Sequence, residues 1–176
     1  MLTTARMRLV PSTADLTRAE IADRSAFATL LDATVPANWP PDLIADALPW
    51  FLQQLEAAAD QVGWLDWYGL VRGTGDQPDV LVASGGFMGP PQDGTVEVGY
   101  SVLPQFQRQG LATEMVAGLV NWAIAQAEVQ HVVAEVHTHN TPSVRLLRRL
   151  GFVEIGPGRD PGHLRFRRSG GAGQAG

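Results

Sequence analysis

The sequence predicts one α+β domain, a mixed and mostly antiparallel central sheet flanked by helices. Three observations predict it. Residues 12 to 59 carry apolar positions at helical intervals. Residues 62 to 103 switch to short β-branched and aromatic runs joined by turn chemistry. Residues 95 to 168 then alternate strand, helix, strand, helix and strand. A chain of 176 residues, 45% of them apolar, suffices for one core of ordinary size. No internal repeat or linker divides it, so residues 1–168 are expected to form the domain and the glycine-rich residues 169–176 a flexible tail.

The elements follow in order. "MRLVP" (7 to 11) is a first strand closed by proline. "STADLTRAEIADRSAFATLLDA" offers Ser and Thr as caps and places Leu16, Ile21, Phe27, Leu30 and Leu31 at mostly helical spacing, enough for one or two helices. Pro36, Pro40, Pro41 and Pro49 break the next stretch, yet Leu43, Ile44, Leu48, Phe51, Leu52 and Leu55 keep an apolar stripe, which predicts a kinked helical hairpin. "VGWLDWYGLVR" and "DVLVASGGFMG" form a strand hairpin across "GTGDQP", and "TVEVGYSVL" (95 to 103) a third strand that stops at Pro104. Leu111, Met115, Leu119 and Trp122 mark a helix, and "HVVAEVH" the next strand. In "HNTPSVRLLRRLGF", Asn140 or Thr141 caps, Pro142 suits the first turn, Arg148 and Arg149 favour the C-terminal dipole and Gly151 fits the stop. "FVEIG" and "HLRFRR" supply two last strands.

Composition removes several functions. A net charge of -5 gives no footprint for nucleic acid or an anionic membrane surface. With no cysteine, disulfides, thiolate zinc sites and a cysteine nucleophile are excluded. No stretch approaches the roughly 20 apolar residues of a membrane-spanning helix. "MLTTARMRLVPSTADL" lacks a continuous apolar run before a small-residue cleavage site, so a cytoplasmic protein is expected.

The most informative stretch joins the third strand to its helix: "QFQRQGLATE", residues 105 to 114. A helix N-terminus carries unpaired N–H groups and a partial positive charge, so a loop that aims several amides at one point binds phosphate oxygens. Small residues fall at Gly110 and Ala112, where the ligand approaches, and bulkier side chains alternate with them. The pattern lacks the Lys-Ser/Thr pair of a P-loop and the three glycines of a dinucleotide fingerprint.

Gln107-x-x-Gly110-x-Ala112 resembles the pyrophosphate-binding signature Gln/Arg-x-x-Gly-x-Gly/Ala of the GNAT superfamily of acetyl-CoA-dependent N-acetyltransferases. The strand "VEVGYSVLP", the following helix, the strand "VVAEVH" and "NTPSVRLLRRLGF" stand in that family's order, and the resemblance covers residues 80 to 155. The "EVGYSVLP" and "NTPS" forms are most similar to the branch that acetylates the N-termini of ribosomal proteins, which also holds enzymes with other substrates. The resemblance implies a GNAT-like fold, acetyl-CoA as co-substrate, no metal, and a primary amine as acceptor. The net charge and the lack of a long apolar stretch lead to no nucleic acid or membrane partner, and by analogy of fold the resemblance admits a homodimer. The cofactor-binding residues it implies are Val102, Leu103, Gln107, Arg108, Gln109, Gly110, Leu111, Ala112, Thr113, Asn140 and Ser143. Gln107 would brace the loop, and Arg108 is the least essential of the set.

Acetyl transfer from a thioester to an amine needs a neutral amine, a polarised carbonyl and a proton for the leaving thiolate. An amine with a pKa of about 8 to 10 arrives protonated, so a carboxylate, often through water, must accept its proton. Glu97 is the first choice, because similar enzymes carry a glutamate there facing the acceptor. Glu135 holds a position that other members use. Either is otherwise a solvated strand residue or half of a structural salt bridge. By resemblance, the Val102 and Leu103 backbone polarises the thioester. Many relatives protonate the thiolate with a tyrosine of the last helix, but Leu147 stands at that position. Ser143 takes the role by resemblance, or else bonds its own backbone. Asn140 binds the pantetheine arm or a substrate amide, or serves as a plain N-cap.

His137 and His139 share a face without a third ligand in the sequence nearby, which makes a poor zinc site. Trp39, in the proline-broken stretch where this family builds its acceptor wall, is a candidate for substrate contact. The expected activity is direct transfer of acetyl to a primary amine, of a protein N-terminus or a small molecule, in a ternary complex. The alternative is a non-catalytic acyl-CoA-binding module. A hydrolase would want a Gly-x-Ser-x-Gly elbow, and the chain has none.

Overall fold

Alternation and helical spacing yield the α+β domain the sequence predicts. The computed structural model describes residues 1–170. β1 (Leu2–Thr3) and β2 (Met7–Pro11) lead into α1 (Ala14–Ala22) and α2 (Arg24–Leu31). The proline-broken stretch becomes α3 (Asp42–Ala45) and α4 (Leu48–Ala57), followed by β3 (Asp66–Val71), β4 (Val80–Phe87) and β5 (Thr95–Val102). Next come α5 (Leu111–Ile124), β6 (His131–His137), α6 (Thr141–Arg149), β7 (Val153–Pro157) and β8 (His163–Ser169). The strands form one eight-stranded sheet in the order β1-β2-β3-β4-β5-β6-β8-β7. Every pairing is antiparallel except that of β5 with β6.

Local chemistry explains the boundaries. Thr13 accepts from the Leu16 N–H and opens α1, while Asp23 accepts from the Ser25 and Ala26 N–H groups and opens α2. Gly151 ends α6 with φ 80°, a left-handed conformation that glycine adopts without cost. β1 is too short to show a period, and the sequence does not announce it. The tail was expected from residue 169, yet Ser169 pairs with His131 and the Gly170 N–H donates to Gln130 O at 2.8 Å. Residues 171–176 of that expectation lie outside the described residues.

Side-chain alternation divides the core into two layers. Val96, Val98 and Val102 of β5 join Leu111, Met115 and Leu119 of α5 and Val144 and Leu147 of α6 on one face. On the other face Tyr68, Leu70 and Leu81 pack against Phe27 and Leu31 of α2, and Leu65 packs against α4. Each layer buries its helices through their apolar stripe, worth about 1.5–3 kcal/mol for each large side chain fully removed from water.

One feature of the sheet creates the site. β5 and β6 pair only through Thr95, Val96 and Glu97 against His131, Val132 and Val133. Beyond these no pair joins them among the described residues, although β5 runs on to Val102 and β6 to His137. The sheet opens there. Among the described residues, no helix is long and apolar enough to cross a membrane.

Candidate active site

The loop between β5 and α5 is built to hold an anion. Its single 3-10 turn, Pro104–Phe106, ends at Gln107, whose side-chain amide donates to Val102 O at 2.9 Å and ties the loop to the strand. Arg108 (φ 61°) and Gly110 (φ 79°) are both left-handed, separated by Gln109. Gly110 is also the N-cap of α5, and no side chain caps that end. The Leu111, Ala112 and Thr113 N–H groups therefore have no partner within the helix, and the dipole adds partial positive charge. That is a seat for phosphate oxygens.

The β1–β2 connection steadies this seat. Arg6 Nη1 donates to Gln109 O at 2.9 Å, and Arg6 Nε meets Glu114 Oε2 at 2.7 Å. Glu114, in the first turn of α5, would repel an anion were it unpaired. Burial alone would raise its pKa, but hydrogen bonds from Thr4, the Arg6 N–H and the Arg6 guanidinium hold it below the ordinary value.

A cleft of about 490 Å³ lies beside the loop, between β5 and α6. Ala112 gives it a small wall at the helix start, and Arg108, Arg145 and Arg149 line it with positive charge. Arg145 and Arg149, four residues apart, project from one face of α6. So a chain of net charge -5 concentrates cations where a polyphosphate would lie. Val102, Asn140, Ser143 and Tyr100 continue the lining. Asn140 Oδ1 accepts from the Ser143 N–H at 3.2 Å, so it caps α6 and fixes Ser143 at the cleft.

The Tyr100 hydroxyl is buried and makes no hydrogen bond of ordinary geometry. Burial pushes its pKa up, and the nearby Ser143 hydroxyl pulls it back. A buried hydroxyl without a partner costs about 1–3 kcal/mol, which a ligand group in this cleft would recover.

The opposite face carries the carboxylates. Glu97 points away from α5, by alternation with Val96 and Val98. Its Oε1 receives Arg159 Nη2 at 2.6 Å. Burial raises the Glu97 pKa, with Arg159 opposing the rise and Glu135 adding to it. Glu135 accepts three bonds: the Arg159 N–H at 3.0 Å, Arg159 Nε at 3.2 Å and Arg165 Nη1 at 3.0 Å. Glu97 thus stands at the start of the opening between β5 and β6, with the cleft on the other side.

The model of the acetyltransferase (GNAT) domain family matches residues 11–153. The chain belongs to the GNAT acetyltransferases. As such it is an acyltransferase. It is similar to the uncharacterized N-acetyltransferase YjdG of Bacillus subtilis, 26% identical over 156 residues that cover 87% of this chain and 89% of that protein. Its fold is similar to that of the ribosomal-protein-S5-alanine acetyltransferase of Vibrio fischeri, with a TM-score of 0.68, 13% identity and 97% and 96% of the two chains covered. Mycobacterium smegmatis RimJ in complex with CoA-disulfide is also similar, with a TM-score of 0.61, 20% identity and 93% and 81% covered. At these identities the two structures speak to fold alone.

Within this GNAT chain most of the expected cofactor residues come together. Val102, Gln107, Arg108, Gly110, Leu111, Ala112, Thr113, Asn140 and Ser143 line the cleft. Leu103 does not: its side chain is buried on the opposite face and its N–H donates to Val82 O at 2.9 Å. Backbone groups alternate along a strand, so Val102 is the residue that faces the open side. Gln109 contributes its carbonyl to Arg6 rather than a wall to the cleft. Trp39 also falls elsewhere, because it is 5% exposed and its indole N–H donates to Glu20 Oε1 at 2.6 Å within the α2 core layer.

His137 has both His139 and His163 near it, at ring-centroid distances of 5.1 and 5.2 Å. Among the described residues no group of three or more His, Asp or Glu is arranged to hold a metal ion. Sequence reasoning missed Tyr100, Arg145, Arg149 and Arg159. The four-residue spacing of Arg145 and Arg149 was a usable signal. Arg159 sits in a turn with no period to betray it.

Proposed function

We propose that this acetyltransferase moves an acetyl group from acetyl-CoA directly to a primary amine, both bound at once on opposite sides of the opening between β5 and β6. The observation that carries this reading is the placement of Glu97 at that opening, with an anion seat and a cationic cleft on the other face. The phosphates of acetyl-CoA sit on the Leu111 to Thr113 N–H groups, near Arg108, Arg145 and Arg149. Its pantetheine arm runs along β5 toward Tyr100 and Ser143.

Glu97, made more basic by burial, takes a proton from the acceptor's ammonium, directly or through water. The freed nitrogen lone pair forms the C–N bond, and the Val102 N–H faces the developing oxyanion. Collapse breaks the C–S bond. The thiolate takes its proton from the Ser143 and Tyr100 hydroxyl pair, and the second proton, which the nitrogen sheds as the amide forms, passes through solvent to resupply that pair. Holding both reactants at attack distance contributes rate without a covalent acetyl-enzyme. The acceptor is a protein N-terminus, as in the ribosomal-protein branch, or a small-molecule amine.

The test is CoA release from acetyl-CoA against a panel of N-terminal peptides, polyamines, amino acids and aminoglycosides. Thiol release that needs both an amine and Glu97 is the expected result. Saturable acetyl-CoA binding without release on any amine, and unaltered by Glu97→Gln, would establish a binding module instead.

A further inference from the structure

Glu97 and Glu135 are neighbours in one ion-pair network, yet they are held differently. Glu135, 8% exposed in its side chain, takes three hydrogen bonds, one of them from the Arg159 backbone. Glu97 takes one, from the tip of a guanidinium whose side chain is 65% exposed. The turn that carries Arg159 is closed by its own bonds, Gly158 N to His163 O at 2.8 Å and His163 N to Asp160 O at 3.1 Å. Gly158 lets it lie against Glu135, since a Cβ there would stand 2.9 Å from Glu135 Oε2 and 2.7 Å from His163 Cβ. The turn is therefore anchored at the backbone and through Arg159 Nε on Glu135 Oε1 at 3.2 Å, and the Nη2 tip can turn away from Glu97 while those anchors stay.

We propose that Arg159 sets the charge class of the acceptor: its guanidinium stands on Glu97 where the acceptor's ammonium has to stand, and a cationic amine displaces it while a neutral amine does not. This rests on Glu97 being the base proposed above. Charge balance decides which amine can take that place. If a neutral amine pushed Arg159 into water, Glu97 would be left a partly buried carboxylate beside Glu135 with no cation on it, which is unfavourable. An ammonium replaces the guanidinium charge for charge, and Arg159, whose side chain is 65% exposed, keeps its bonds to Glu135 while its tip turns into water. After transfer the amide product carries no charge to hold Arg159 away. Once Glu97 has returned its proton to solvent, the guanidinium regains its place and the product leaves. The acceptors selected are aliphatic, strongly basic amines, with aryl amines and other amines that are neutral at pH 7 excluded.

The test uses the full chain with Arg159→Ala, and methylguanidinium chloride as the probe. At about 10 mM the probe raises the Tm of Arg159→Ala by about 2 °C over matched sodium chloride, by refilling the vacated place on Glu97. The wild type and the Arg159→Ala/Glu97→Gln double variant do not respond. An equal rise in the wild type, no rise in Arg159→Ala, or a rise that survives Glu97→Gln overturns the proposal. Arg159→Gln serves as a second variant that keeps the side-chain length. For any amine that turns over in the panel, Arg159→Ala lowers the acceptor KM about threefold to fivefold and leaves the acetyl-CoA KM unchanged. An unchanged or raised acceptor KM also overturns it. Failure of the wild type to release CoA with every amine would sink the acetyl-transfer reading, while the methylguanidinium result judges Arg159 on its own.

Discussion

The two faces of the sheet are built by different rules. The face proposed for acetyl-CoA draws its parts from one continuous run, β5 through α6, where each residue's place follows from its neighbours: Gly110 at a left-handed helix start, Asn140 at a cap, Arg145 and Arg149 one turn apart. The face proposed for the acceptor gathers Glu97, Glu135, Arg159 and Arg165 from three strands and a turn, up to 68 positions apart, and holds them by ion pairs. Beneath its helices lie the buried carboxyl of Asp66 and the half-buried one of Glu20. A site made by local geometry tolerates little change at one residue. A site made by a network shifts its load when one member is altered.

The largest expected effect therefore falls on the cofactor face. Gly110→Glu puts a bulky anion into a left-handed position at the phosphate seat, beside Arg6, and should weaken acetyl-CoA binding on the order of a thousandfold. Calorimetric titration with acetyl-CoA checks it, and unchanged affinity would remove the loop from its role. Next comes Glu97→Gln, which should lower kcat about a hundredfold near neutral pH and much less where the amine is already neutral. Glu135→Gln should cost less than tenfold, because Glu135 positions Arg159 and Arg165 rather than the amine. Equal losses in the two variants would erase the distinction drawn between the carboxylates.

The same contrast decides what was legible in the sequence. The Gln107-x-x-Gly110-x-Ala112 loop, the helix that follows and the Asn140 cap all declared themselves, because turn, cap and phosphate seat depend on residues within a few positions of one another. Leu103 went astray by a single position: strand alternation tells that neighbours face opposite ways, but not which one meets β4. Trp39 misled for a different reason. A tryptophan between prolines suits a substrate wall and a core equally, and only the carboxylate of Glu20, 19 positions earlier, decides between them. Arg159 was invisible because nothing local requires it.

The acceptor-side layer has a pH dependence of its own. Asp66, 3% exposed, accepts from Ser84 Oγ at 2.6 Å, and its Oδ2 has no partner. Burial pushes its carboxyl from an ordinary 3.8 up to about 8, with the Ser84 bond opposing and Glu20 adding to the rise. Across that interval the native state keeps a proton that the unfolded chain has released. The stability this contributes is whole below about pH 4, declines as pH rises, and is gone once pH passes about 8, at up to about 1.4 kcal/mol per pH unit. Asp66→Asn should flatten the decline in urea unfolding between pH 5 and 8, leaving the smaller part due to Glu20 and Glu97, whose pKa values burial also raises. An undiminished slope would place the dependence elsewhere.

The smallest effect tests whether the acceptor-side helices do more than support. Trp39 and Tyr68 both donate to Glu20, at 2.6 Å each, tying the segment after α2 to α1 and β3. Trp39→Phe keeps most of the apolar bulk but removes the indole N–H, so a buried carboxyl loses one of its two donors and Glu20 becomes harder to ionise. The expected cost is about 2 kcal/mol of stability in urea unfolding, with the acceptor KM within twofold of wild type. A stable variant with a much raised acceptor KM would reverse the assignment and return Trp39 to the substrate wall. The expected result instead confines recognition to the carboxylate network, where removing Arg159 strengthens acceptor binding and removing Trp39 leaves it alone.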